Sequence, residues 1–115
     1  MPLTTPQLFS IGKAETVVNT AVTTGVALAQ QFVLPTGSGQ YGSLITIHAV
    51  LTAITVLTAD LEASLDGGVT FDTVLTMDFF VLPVQVVQVG GGPAIYRINV
   101  KSITGTSVVF KASIA

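Results

Sequence analysis

The chain has 115 residues, half of them hydrophobic (50%) and only 9% charged, with a formal net charge of −2 and a mean hydropathy of +0.78. That length supports one core but not two. Four basic residues (Lys13, Arg97, Lys101, Lys111) are too few for the clustered Lys/Arg of a nucleic-acid surface, and the absence of cysteine excludes disulfides and thiolate metal sites.

An ordinary soluble domain carries about 25% charged residues. Here Thr, Ser, Gln and apolar side chains must cover much of the surface, and a large exposed apolar area marks a surface meant for a partner. An obligate or near-obligate assembly is expected.

The opening "MPLTTPQLFSIGK" lacks the basic and apolar regions of a secretory leader, so none is expected. With Pro2 and Pro6 among Thr and apolar residues, residues 1–13 read as an extended arm preceding a domain at 14–115. Fifteen extended residues reach about 50 Å, enough to lie across a neighbouring subunit; a frayed tail is the equal alternative. Leu3, Leu8 and Phe9 are the arm's candidate contact residues.

Strand signals follow at 14–22 and 26–34, then a loop, "PTGSGQYGS" (35–43), carrying Tyr41 as a fourth candidate contact residue. A strand is expected over 43–57. No Asp, Glu, Lys or Arg occurs between Glu15 and Asp60, so a membrane reading must be weighed. The segment 16–34 is broken by Asn19, Gln30 and Gln31, and 44–59 is shorter than the roughly 20 residues of a spanning helix. Its β-branched residues favour strands, and no membrane partner is expected.

In "LEASLDGGVTFDTV" (61–74), Leu61, Ala63 and Leu65 alternate with Asp60, Glu62 and Ser64, giving one apolar and one acidic face. "DGG" (66–68) signals a tight turn into a strand near 69–77. The carboxylates are then expected on a solvated strand face and in the turn. Further strands are expected at 79–83 and 84–87, and "GGGP" (90–93) reads as a loop. Tyr96, Ile98 and Val100 alternate with Arg97, Asn99 and Lys101, and Val108, Phe110, Ala112 and Ile114 with Lys111 and Ser113. With "TGT" (104–106) as a turn, these two runs predict a terminal hairpin. The sum is an all-β fold: a single antiparallel β-sandwich or jelly roll of about eight strands with an extended N-terminal arm.

No chemistry-bearing constellation stands out. His48 is the only histidine, cannot form a two-histidine metal site, and has apolar neighbours in Ile47 and Ala49. Asp66 and Asp72 lie six apart, far looser than a calcium loop. Asp60 with Glu62 imitates a catalytic carboxylate pair, but nothing predicts the walled pocket such a pair needs. "GGGP" lacks the Lys-Ser/Thr of a P-loop, and there is no G-x-S-x-G. A sugar platform would draw on aromatics, and the chain has no Trp and only Tyr41 and Tyr96. No catalytic residue, metal or cofactor is expected.

The stretch "LEASLDGGVTFDTV", followed some twenty residues later by "YRINVKSITGTSVVFKASIA", resembles small β-sandwich virion proteins of tailed bacteriophages. In those, an "L-E-x-S-L-D-G" strand precedes an aromatic-bearing strand and a "Y-R-[IL]-N-V…G-x-x-V-x-V" hairpin closes the sandwich. The resemblance covers roughly residues 58–115. Phe71 stands where such proteins commonly carry Trp, which weakens a carbohydrate reading. What the resemblance implies is a non-enzymatic capsid decoration, cement or minor capsid subunit, a symmetric homo-oligomer located in the virion and bound to the major capsid protein or other virion proteins. The alternative is a carbohydrate- or host-surface-binding module of a tail or fibre.

Overall fold

The computed structural model describes residues 3–9, 13–34, 43–89 and 94–114. Seven strands form it: β1 (Leu3–Leu8), β2 (Glu15–Ala21), β3 (Gln30–Val33), β4 (Ser43–Ser64), β5 (Asp72–Asp78), β6 (Val84–Val89) and β7 (Ile95–Ile114). All belong to one curled sheet along the path β1-β3-β7-β4-β5, with β2 on β7 and β6 on β4. It is a mixed sheet rather than the expected antiparallel one, because β1 pairs in parallel with β3. Among the described residues no helix is long and apolar enough to cross a membrane.

The frame is a ribbon of two long strands, β4 (22 residues) and β7 (20 residues), paired antiparallel from Ile45↔Ile114 to Ser64↔Ile95. The expected hairpin at 104–106 does not form. "TGT" runs straight through β7, because β4 on its far side supplies an unbroken partner for both runs. The ribbon bends there instead. Ala53 takes a left-handed φ of 51° and Gly105 a φ of 141°, and the register shifts between Ile54 and Val56 and again between Thr58 and Ala59. Bulges of this kind increase the twist of a ribbon and let a sheet curl. A Cβ on Gly105 would run into the Ala53 carbonyl, so only glycine fits at this bend.

The bend divides the sheet into two halves. β6 and β2 flank one half of the ribbon; β5, β3 and β1 flank the other. Alternation then decides what is buried. Ile45, Ile47, Leu57, Leu61, Ile98, Val100, Phe110 and Ile114 are all shielded from solvent in one core. Phe79 meets Phe110 edge-on at 4.9 Å, joining the two halves, and Phe32 stacks between Phe9 (4.5 Å) and Tyr96 (5.7 Å). Fully burying an aromatic or aliphatic side chain is worth about 1.5–3 kcal/mol. The radius of gyration, 13.1 Å, is that of a compact chain of this length.

The remaining expectations divide. The turn at "DGG" forms, joining β4 to β5. Residues 79–81 form a turn rather than a strand. The segment 3–9, expected as an arm or a frayed tail, is extended, but β1 lies along β3 of its own chain and Phe9 is buried beneath it.

Candidate functional site

The carboxylates of β4 were expected on a solvated face, and their surroundings differ from that expectation. Asp60, Glu62 and Ser64 share a strand face, as alternation requires, yet all three are buried. Neighbouring strands of the same sheet cover them. Register places Glu62 opposite Arg97 and Asp60 opposite Asn99 on β7, and Glu62 opposite Thr73 on β5. Arg97 Nε donates to Glu62 Oε1 at 2.7 Å and Asn99 Nδ2 to Oε2 at 2.9 Å. The Arg97 guanidinium also lies 3.8 Å from the centre of the Phe71 ring, a cation–π contact. Thr73 donates its hydroxyl to Asp60 Oδ2 at 3.1 Å, while Asp60 Oδ1 is buried with no hydrogen-bond partner among the described residues. Burial of a carboxylate is tolerated only where donors replace water, so the cluster fixes the register of β5, β4 and β7 to one another.

The hairpin tip is a second polar cluster. Asp66 Oδ1 accepts from the Ser64 hydroxyl (2.7 Å) and the Thr70 N–H (2.9 Å), and Oδ2 from the Thr70 hydroxyl (2.5 Å). Ser64 Oγ in turn accepts from the Gly68 N–H at 2.9 Å. The Thr70 hydroxyl and amide, then Ser64, hold the Asp66 carboxyl well below the usual carboxylate range. Gly67 and Gly68, at φ of 76° and 92°, supply the left-handed backbone. Asp66 is therefore spent on the turn. Asp72 sits on β5 opposite Ala63, outside the hydrogen-bonded turn built on Asp66. Among the described residues no group of three or more His, Cys, Asp or Glu could hold a metal.

The other candidates scatter. His48 is exposed on the outer face of β4, between Val84 of β6 and Lys111 of β7. Tyr96 is buried against Phe32, where it cannot stack on a sugar, and burial raises its phenol pKa. Leu8 is 64% exposed and remains available to a partner. Phe9 does not, being sealed in the core. Leu3 lies on β1 opposite Gln30, and Tyr41 falls outside the described residues.

What singles out this molecule is an outer surface rich in apolar side chains and sparse in charge. Leu44, Val50, Val84 and Val86 are exposed on β4 and β6, and the adjoining turn projects Phe80, Val81 and Leu82. On the β6–β4–β7 half of that face, Thr46, Gln88 and Ser113 separate the apolar side chains and Lys111 is the charged residue. Sequence reasoning foresaw such a surface from composition but not its location. It missed the Glu62–Arg97–Asn99 cluster, whose only signal was the presence of Glu and Arg in strands otherwise short of charge. No known protein family, curated protein or solved structure matches this chain.

Proposed function

We propose that the chain is a non-enzymatic structural subunit of a bacteriophage particle, decorating or cementing the capsid by binding the major capsid protein or other virion proteins. The observation that carries this reading is the exposed apolar surface formed by Leu44, Val50, Val84, Val86 and the Phe80–Leu82 turn. A free monomer gains nothing by holding these side chains in water, whereas a lattice neighbour covering them stabilises both partners. The two polar clusters support it as well. Their hydrogen bonds are turned inward on strand register and turn geometry, as suits a rigid building block.

In this reading the two halves of the bent ribbon stand for the two layers of the sandwich expected of such subunits, and the protein resides in the virion after assembly in the host cytoplasm. The competing carbohydrate- or host-binding module has lost one of its two tyrosines to the core. The test compares particles assembled with and without the chain under heating. Cementing predicts that particles lacking it release their contents at lower temperature and that adding purified protein restores the difference. Equal stability with no retention of added protein on the particles would overturn the reading.

A further inference from the structure

Four strands offer an edge that no described strand covers: β1, β2, β5 and β6. Such edges carry rows of unpaired N–H and C=O groups, and proteins that remain monomeric blunt them with charge, proline or bulges. Three of the four are blunted. β1 contains Pro6 and a register shift. β2 has two irregularities and is entered through the Lys13–Glu15 ion pair. β5 begins and ends on Asp72 and Asp78 and has a break opposite Leu61 and Glu62.

β6 has none of these devices. Its sequence, VQVVQV, contains no charge and no proline, and its six residues pair with β4 in unbroken register from Ser43↔Val89 to His48↔Val84. The direction of its free groups follows from one bond. Ala49 N–H donates to Pro83 O at 2.8 Å, so the position 83↔49 is a hydrogen-bonded pair of the antiparallel ladder. Such pairs alternate. Gln85, Val87 and Val89 therefore turn their backbone groups toward β4, and Val84, Val86 and Gln88 turn theirs to the open edge. Val84 and Val86 also leave their side chains 51% and 60% exposed.

We propose that this edge pairs with the same edge of a second copy, antiparallel about a twofold axis at Val86. A twofold axis normal to the sheet keeps outer faces on one side and requires directly opposed residues to share a face. Centring it on Val86 satisfies both conditions, setting Val86 against Val86 and Val84 against Gln88 of the other copy. Three N–H and three C=O groups on each strand then find partners, giving six hydrogen bonds across the junction. Inner-face positions oppose Gln85 to Val87. No charge meets a like charge anywhere along the strand, so the negative net charge of the chain is not concentrated at the contact. The inference goes beyond the virion reading, since it needs only the edge of β6.

Sedimentation equilibrium of the full chain at sub-millimolar concentration tests it. The wild-type chain is expected at twice its 11.8 kDa mass. V86P removes an N–H that serves the open edge and not the β4 ladder, and V86K opposes two like charges across the axis; each is expected to sediment as a monomer. Because the axis sets residue 86 against itself, mixing V86K with V86E is expected to restore the dimer mass. In the wild type, amide exchange at Val84, Val86 and Gln88 is expected to slow as protein concentration rises, which requires no variant to fold. A wild-type monomer, a V86K dimer, or exchange at these amides independent of concentration would each overturn the proposal and leave the virion reading untouched.

Discussion

Substituting Gly105 with alanine tests the bend on which the two-halved fold depends. The added Cβ would strike the carbonyl oxygen of Ala53 and lie 2.7 Å from Ile54 Cα and 2.9 Å from the Ala53 carbonyl carbon. Carbon atoms in good contact sit about 3.5–4.0 Å apart, so two backbones must separate by nearly a full ångström. Both are held in the ribbon ladder, with Thr52↔Ser107 on one side and Val56↔Thr104 on the other. Overpacking of this kind costs about 1–3 kcal/mol, and a φ of 141° imposed on alanine adds about 1–3 kcal/mol. Alanine's stiffer unfolded chain returns about 0.4–1 kcal/mol. The net expectation is a loss of about 3 kcal/mol, a large share of the roughly 6–17 kcal/mol available to a domain this size. Urea unfolding followed by far-ultraviolet circular dichroism measures it, with exposed Thr106→Ala as a control expected within about 0.5 kcal/mol of the parent. A Gly105→Ala loss below about 1 kcal/mol would refute the close approach of β7 to Ala53.

Three further outcomes follow from the polar clusters and the core. Arg97→Met leaves Glu62, whose side chain is 8% exposed, with Asn99 as its donor, and is expected to cost about 2–4 kcal/mol; the double change Glu62→Leu/Arg97→Met is expected to cost less than the sum of the singles, as a double-mutant cycle in urea will show. Asp66 has a folded pKa below its ordinary value of 3.8, so its contribution to the hairpin is complete above that pH and is withdrawn as pH falls further. Protection of the Gly68 and Thr70 amides, taken relative to their intrinsic exchange rates at each pH, is expected to fall on acidification, and Asp66→Asn to lose that dependence. Tyr96 has its pKa raised above 10.0 by burial, so its contribution is complete below pH 10 and is lost as pH rises through the folded value. Urea midpoints measured on either side of pH 10 should fall at the alkaline end, and less steeply in Tyr96→Phe.

Much of the fold was legible because alternation is a local signal. Tyr96, Ile98 and Val100 point into the core, as do Val108, Phe110, Ala112 and Ile114, and the Asp-Gly-Gly turn falls where its chemistry demands. The connection between those two runs was not legible. A glycine flanked by threonines satisfies a hairpin turn and a bulge equally well, and only the length of β4, on the far side of the pairing, decides between them. The same is true of the acidic face of β4. Alternation puts Asp60 and Glu62 on one side, but whether that side is wet depends on Arg97 and Asn99, 35 and 37 residues further on. The parallel pairing of β1 with β3 left no mark in a segment interrupted by Pro6.

Counting copies of this chain in purified particles, by mass spectrometry against a labelled peptide standard, tests the central claim most directly. A subunit that covers its apolar outer face against a capsid lattice is expected at hundreds of copies per particle. Its absence from particles would contradict the account.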